Sequence, residues 1–544
     1  AAVAASPGEP TTRSSGTGTP AAARRRLDSS SERVGTAPYG NRTVLRVRGV
    51  LEGFYGRPWT WDERVAVARW CADRGMPHYV WAPKDEPLHR ERWREPWPAD
   101  VLAGFGRLAA EPDVVLGVGL SPGLDVDYGS PADRRALADK VGPAVDAGAR
   151  LVALCLDDIP DRPGLGQDHA ALTAHLWEEL DGRADLVLVP TQYVGSRPTP
   201  YLDALATGVP DDVPIGWTGD AVVNDVVTVA QAAARRAALG GRPPLLWDNV
   251  PVNDAIMADR LFLGPLRGRE PGLADGLGGY LANAMVQPRA STLPLASIAA
   301  WLQGRDPAAA WATEADRLGW RVLAEACDGG VPRALVGVLA ACVGDPSWAG
   351  AAAALAAWLA EAAGVTAPGL EDEAGPWVEQ VRAEARVGRA ALELLAATRP
   401  ALRAGRDGRG RALPPADVDA LLAAFGVMGR WPEVRRSSVS VLGVRCGFRP
   451  ALGQAADGSW SLLPGLLEED RNAVDHLVRL AVGEATGGTA VDPLVVTVDG
   501  TPVDVEADGT FAAPPGSLVV ARCGRVATGG RAPFEPPVPD RRLR

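Results

Sequence analysis

Between residues 45 and 305, short apolar runs alternate with longer stretches in which apolar positions recur every three or four residues. The short runs carry the strand signal and the longer ones the amphipathic-helix signal. The strand candidates are RVRGVLEGFY (46–55), PHYVWAPK (77–84), DVVLGVGLSP (113–122), ARLVALCLDD (149–158), ADLVLVPTQY (184–193), DVPIGWTGD (212–220), PPLLWDNV (243–250) and LGGYLANAMVQP (277–288). Helical patterns such as WDERVAVARWCADRG (61–75) and PADRRALADKVGPAVDAG (131–148) lie between them, and LPLASIAAWLQG (293–304) follows the last. Eight strand–helix units over about 260 residues predict an α/β fold, a (β/α)8 barrel. A doubly wound open sheet is the rival, but it would be expected to begin with a Gly-rich phosphate turn, and LEGFYG is not GxGxxG.

The pattern changes on either side of this block. Residues 1–44 are rich in Ser, Thr, Pro, Gly and Ala without periodicity, and are predicted to be a disordered tail. Residues 306–435 turn Ala- and Leu-rich with helical spacing, as in WVEQVRAEARVGRAALELLAA, and predict an all-α helical domain. Residues 436–544 predict a small mixed α/β region of unassigned role. Its features are a helix at RNAVDHLVRLAV, Asp-Gly hairpins in VTVDGTPVDVEADGTF and a frayed end at PFEPPVPDRRLR.

Composition narrows the function classes. A chain of 544 residues with 47% hydrophobic and 23% charged residues reads as a soluble multidomain protein. A net charge of -11 argues against a nucleic-acid partner, and Arg24-Arg25-Arg26 is read as a solvated charge run. The six cysteines (Cys71, Cys155, Cys327, Cys342, Cys446, Cys523) contain no CxxC pair, and the five histidines form no HxxxH or HExxH spacing. Neither a disulfide framework nor a metal site is expected. No apolar run approaches the roughly 18 residues of a membrane span. No leader pattern is visible at the start, which predicts a cytoplasmic protein; a secreted one whose leader has been removed would read the same way. The sequence does not set the oligomeric state.

In a barrel the active site lies at the C-terminal ends of the strands. Here those ends carry Glu52, Gly53 and Tyr55; Lys84 and Asp85; Asp125; Asp157 and Asp158; Tyr193; Trp217; Trp247, Asn249 and Asp254; and Asn283. Taken singly, each has a bland reading. The aromatics could be rim packing, Lys84 could pair with Asp85, and WDNVPVND could be a loop cap. Together on one face, carboxylates, amides, a lysine and tryptophans are the composition of a sugar site. Hydroxyls want bidentate hydrogen-bond partners, and the C–H face of a pyranose packs on an aromatic ring.

The adjacent Asp157 and Asp158 are the least expected pair, since two like charges at a strand end are costly. A retaining glycosidase of the ordinary kind uses two carboxyls roughly 5 Å apart across the anomeric carbon. Neighbours on a strand point to different sides and are poorly placed for that. A 2-acetamido sugar relaxes the requirement, because its own carbonyl oxygen can attack the anomeric carbon and form an oxazoline. One carboxylate then holds the acetamide N–H and the other protonates the leaving oxygen. The charge of the first favours the protonated form of the second, although such a pair titrates as a unit.

The motifs RGVLEGFYGRPWTWDER, YVWAPKDEPLHRERWREPWP, LSPGLDVDYG, LCLDDIP, WTGDAVV, LLWDNVPVNDAIMADRLFLGPLRGR and YLANAMVQP resemble the catalytic domain of glycoside hydrolase family 84 from about residue 45 to 305. These are β-N-acetylglucosaminidases, the protein O-GlcNAcases among them. The helical stretch GPWVEQVRAEARVGRAALELL also resembles the domain that follows the barrel in that family. The family's PKDDP stands here as PKDEP, with Glu86, and its TEY as TQY, with Gln192.

The resemblance implies a retaining exo-β-N-acetylglucosaminidase acting by substrate assistance, with Asp157 polarising the acetamide and Asp158 as general acid/base. It further implies that Tyr193 and Asn249 orient the acetamide, Trp247 lines its pocket and Asp254 grips the outer hydroxyls. Gly53 (through its backbone), Lys84 and Asn283 would contact the remaining hydroxyls, with no metal or organic cofactor. Glycosylated protein and small cell-wall or chitin glycans both fit as substrates. A catalytically silent glycan-binding scaffold is the reading from another class.

Overall fold

The structure is a computed structural model that describes residues 45–328, 348–398 and separate stretches between 426 and 531. The predicted tail at 1–44 and frayed end at 533–544 lie outside the described residues.

Eight parallel strands form one sheet: β1 (Val47–Glu52), β2 (His78–Trp81), β3 (Val115–Leu120), β4 (Leu151–Cys155), β5 (Asp185–Val189), β6 (Gly216–Trp217), β7 (Leu245–Asp248) and β8 (Gly279–Asn283). Each of the eight apolar runs supplies one strand. The order is β5-β4-β3-β2-β1-β8-β7-β6, and a parallel bridge between Leu188 and Ile215 brings β5 to β6 and closes the ring. The fold is a (β/α)8 barrel.

The outer helices are α1 (Trp61–Ala72), α2 (Ala99–Ala109), α3 (Pro131–Asp146), α4 (Leu165–Leu180), α5 (Pro200–Gly208), α6 (Val229–Ala238) and α7 (Pro288–Leu302). Their starts are written in the sequence. Thr60 with Glu63 and Thr228 with Gln231 form capping boxes, and the Ser130 and Thr199 side chains accept from the third residue of α3 and α5. One unit departs from the expected eight: β7 and β8 are joined without an α-helix, through the short turns Ala255–Met257 and Leu273–Gly276. Pro251, Pro265 and Pro271 interrupt that segment, and each removes a helical N–H and clashes with the preceding turn.

The strands alternate between two cores. Val47 and Leu51, Val80 and Ala82, Leu151, Ala153 and Cys155, Val187 and Val189, Leu245 and Trp247, and Leu281 fill the barrel interior. The residues between them, such as Val50, Trp81, Leu154, Leu188, Leu246 and Ala282, pack outward with the helices.

A second core lies beyond α7. It joins Leu261 and Leu263 from the β7–β8 connection to α7, then to helices Pro307–Leu318, Arg321–Ala326, Trp348–Ala362 and Glu371–Thr398. Glu373 accepts from the Arg289 and Ala290 amides at 3.1 and 2.9 Å, capping the start of α7 from the neighbouring helix. This core continues past residue 435: Val441, Leu442, Val474, Leu477 and Ala481 belong to it. Ser440 N donates to Asp259 O at 2.8 Å and Leu442 N to Ala326 O at 2.7 Å.

Residues 474, 477, 478 and 481 of the predicted RNAVDHLVRLAV segment are helical. Strands Leu494–Val498 and Thr501–Val503 pair antiparallel around Asp499-Gly500, whose φ values of 50° and 84° are those of a two-residue hairpin turn.

Candidate active site

The inward alternation continues past the strand ends, and that continuation builds the site. Two residues beyond Leu51, Ala82, Cys155, Trp247 and Leu281 stand Gly53, Lys84, Asp157, Asn249 and Asn283. Each carries the interior face of its strand one step further, where the apolar filling gives way to polar groups. With Tyr193, Trp247, Asp158 and Asp254 they line a single cleft of about 1030 Å³ at the C-terminal end of the barrel. All nine residues to which the family resemblance gives a role meet there.

Asp157 is buried and its two oxygens have different surroundings. Lys84 Nζ, itself buried, donates to Oδ2 at 2.5 Å. Oδ1 is buried without a hydrogen-bond partner among the described residues. A buried carboxylate oxygen left unpaired is costly, so Oδ1 is poised for a ligand N–H or O–H. Burial pushes the Asp157 carboxyl up, but the charge and hydrogen bond of Lys84 outweigh it and hold the group below its ordinary value. Burial likewise disfavours the Lys84 ammonium, and Asp157 more than compensates, raising it. Lys84 Nζ also lies 5.9 Å from the Trp247 ring centroid.

Asp158 leaves the strand at φ 52°, in the left-handed region that Asp tolerates better than most residues. That turn takes its side chain away from the barrel axis to an exposed place in the cleft. Tyr193 Oη donates to Oδ1 at 3.0 Å and Tyr55 Oη to Oδ2 at 3.3 Å. The two neighbours thus diverge, one paired and buried, one held by hydroxyls at the surface. The repulsion expected between them is partly offset by Lys84, which the sequence places 73 residues from Asp157. Burial and the nearby Asp158 raise the Tyr193 phenol above its usual value.

On the opposite arc, Asn283 Oδ1 accepts from Gly53 N at 3.2 Å and Asn283 Nδ2 donates to Asn249 Oδ1 at 3.0 Å. Trp247 Nε1 donates to the same Asn249 oxygen at 3.2 Å, and Asn249 Nδ2 donates to Val222 O at 2.8 Å. A Cβ on Gly53 would lie 2.1 Å from Leu51 Cδ1 and 2.8 Å from Trp247 Cζ2, so no side chain fits. Asp254 Oδ2 accepts from Tyr55 N at 2.8 Å, and burial raises its carboxyl above the ordinary value.

Several strand-end residues are structural. Glu52 is fully buried and accepts from Trp59 N, Arg64 Nε and Nη2, and Tyr79 Oη at 2.5–3.0 Å. Asp248 of the WDNVPVND loop pairs with buried Arg269 and accepts from Tyr280 Oη at 2.8 Å. Asp125 holds Trp93 Nε1 at 2.8 Å and Arg94 at 2.6 Å, and Asp85 accepts from Gly56 N at 2.7 Å. Trp217 lines the cleft while its Nε1 donates to Gly195 O at 3.0 Å. Gln192 donates to Asp161 Oδ2 at 2.7 Å, and neither it nor Glu86 lines the cleft.

Sequence reasoning left out Arg90, which donates to Tyr55 Oη at 2.9 Å, and the apolar rim of Val194, Val222, Val223 and Ile256. Nothing in the run HRERWR distinguishes Arg90 from its neighbours. The rim valines could have been found as apolar residues in a stretch with no helical or strand period.

A family model described as beta-N-acetylglucosaminidase matches residues 48–326. The protein O-GlcNAcases of Rattus norvegicus and Mus musculus are each 29% identical to this chain over 271 residues, which cover 46% of the chain and 29% of each relative. The chain therefore matches under a third of the length of these curated relatives. Among solved structures, a Thermobaculum terrenum O-GlcNAc hydrolase mutant superposes with a TM-score of 0.65 at 21% identity, covering 82% of this chain and 97% of the other. CpGH84B gives 0.64 at 22% identity, covering 74% and 75%. At these identities the structural likeness speaks to the fold.

Proposed function

The chain belongs to the β-N-acetylglucosaminidase family, glycoside hydrolase family 84, and from that premise we propose that it is a retaining exo-hydrolase of terminal β-linked N-acetylglucosamine that uses the substrate's acetamide as nucleophile. The acetamide oxygen attacks the anomeric carbon as the bond to the leaving oxygen breaks. Asp158 delivers its proton to that oxygen, and Asp157 Oδ1 accepts the acetamide N–H as positive charge develops on the nitrogen. The resulting oxazoline is opened by water on the face the leaving group vacated, and Asp158, now a carboxylate, takes the water's proton. Two inversions give retention, and the acid returns to its starting state.

The observation that carries this reading is the asymmetry of Asp157: one oxygen on Lys84, the other buried beside the cleft with no hydrogen-bond partner among the described residues. A protein nucleophile would need an exposed carboxylate facing the anomeric carbon across from the acid, and Asp157 is buried against a lysine. Asp254 and Asn283 supply acceptors and donors for sugar hydroxyls, Gly53 leaves room for close approach, and Trp247 offers an apolar wall. Glycosylated protein and small cell-wall or chitin-type glycans are alternative substrates for this chemistry. Turnover of an aryl β-N-acetylglucosaminide, with the aryl β-glucoside as control, tests the assignment. Cleavage of the first and near-absence of cleavage of the second is expected; comparable rates on both would overturn it.

A further inference from the structure

We propose that Arg90 is a positioning residue that sets the strength of the acid, by locking the Tyr55 hydroxyl as a donor to Asp158. The inference rests on the assignment of Asp158 as the proton donor to the leaving oxygen.

Arg90 belongs to the segment between β2 and α2, and two buried neighbours fix its place. His89 is buried, with Nδ1 2.9 Å from Gly119 O, and its carbonyl accepts from Ser121 N at 2.9 Å. Trp93 is buried and held by Asp125 at 2.8 Å. Between these anchors the half-buried Arg90 points at the cleft. Its Nη1 donates to Tyr55 Oη at 2.9 Å and its Nη2 reaches the Asp158 backbone oxygen at 3.5 Å. Arg92 and Arg94 in the same segment pair with Glu95, Asp125 and Asp133, whereas Arg90 makes no ion pair among the described residues. Its charge is directed at the acid's surroundings.

A guanidinium only donates, and a phenol has one hydrogen. With Arg90 donating into the Tyr55 oxygen, the Tyr55 hydrogen is left for Asp158 Oδ2, 3.3 Å away. The cation polarises that O–H and makes it a better donor. Both effects favour the carboxylate that Asp158 becomes once it has released its proton. The groups facing Asp158 are Tyr55 after β1, Lys84 after β2, Arg90, Asp157 after β4, Tyr193 after β5 and Asp254 after β7. The hydrogen bond of Lys84 goes to Asp157, and among the described residues no cation is shown donating to the Tyr193 hydroxyl. Lys84 acts on Asp158 only through its charge, whereas Arg90 and Tyr55 bring a cation to the acid through a chain of hydrogen bonds.

The test is a leaving-group and pH series on the full chain, comparing Arg90→Gln, Arg90→Lys, Tyr55→Phe and the Arg90→Gln/Tyr55→Phe double variant. In Arg90→Gln, the basic limb of the kcat/KM profile is expected to move up by about one pH unit, because the acid holds its proton more tightly without the cation. Activity on a poor leaving group is expected to fall about three- to tenfold and on an activated aryl group by less than about twofold, with KM little changed. Arg90→Lys should recover part of both effects, and adding Arg90→Gln to Tyr55→Phe should change little further. Equal loss on both leaving groups with an unmoved limb would mean that Arg90 only holds the segment, and would overturn the proposal. If instead Asp158→Asn leaves poor leaving groups untouched, the acid assignment itself fails, and that outcome is separate from the behaviour of Arg90.

Discussion

Lys84 and Asp157, each two residues past an interior-facing residue (Ala82 and Cys155), form an ion pair at 2.5 Å inside the barrel, and the second Asp157 oxygen is buried without a hydrogen-bond partner among the described residues. The pair is buried on both sides, so removing one partner strands a charge. Lys84→Met is expected to cost about 3–5 kcal/mol in urea unfolding. It should also move the acidic limb of kcat/KM upward, since burial then acts on Asp157 without its opposing cation. The pH window follows from the two shifts. The depressed Asp157 contributes stability above its unfolded value near 3.9, lost as pH falls through a lower folded value. The raised Lys84 contributes below about 10.4, lost as pH rises through a higher folded value. The wild type should therefore hold the pair from about pH 4 to about pH 10. An acidic limb that does not move in the variant would show that Lys84 does not set the state of Asp157.

The two aspartates are expected to fail differently. Asp158→Asn should reduce hydrolysis of poor leaving groups by about 10²–10⁴-fold while sparing activated aryl groups, because only the former need a proton. Asp157→Asn should impair every substrate that carries the acetamide, whatever its leaving group, because the oxazoline loses its counter-charge. Steady-state rates across a series of aryl glycosides separate the two patterns. Identical leaving-group slopes for both variants would deny the division of labour.

Much of this was legible in the sequence, and for physical reasons. Parallel barrel strands are buried on both faces, so each reads as an apolar run, and polar residues at their ends stand out against it. Gly53, Lys84, Asp157, Asn249 and Asn283 were visible because each is a polar or missing side chain where the inward pattern runs out. Arg90 was not, since its role depends on Tyr55 and Asp158, 35 and 68 residues away, and on burial of His89 and Trp93 beside it. Glu52 reads as a site carboxylate in the sequence because spacing does not show the arginine that occupies it. The β7–β8 connection reads as a strand–helix unit on rhythm alone, although its prolines argue against a helix.

The continuation of the helical core past residue 435 bears on how the chain can be divided. A cut there, as the sequence pattern suggests, removes Val441, Leu442, Val474 and Leu477 from a buried cluster. At about 1.5–3 kcal/mol for each side chain, the loss is comparable with the stability of a whole domain. A chain ending at 435 is expected to unfold at much lower urea than the full chain. Matching unfolding midpoints would show that these contacts contribute little.

In the proposed reaction the acetamide, and no protein group, attacks the anomeric carbon. Replacing the N-acetyl hydrogens stepwise by fluorine makes the carbonyl oxygen less basic while changing its size little. With a constant leaving group whose departure is limited by cyclisation, kcat/KM is expected to fall steeply through the mono-, di- and trifluoroacetyl substrates. A stable thiazoline that imitates the oxazoline should bind far more tightly than the substrate. A nearly flat fluorine series would contradict the account and return Asp157 to the role of direct nucleophile.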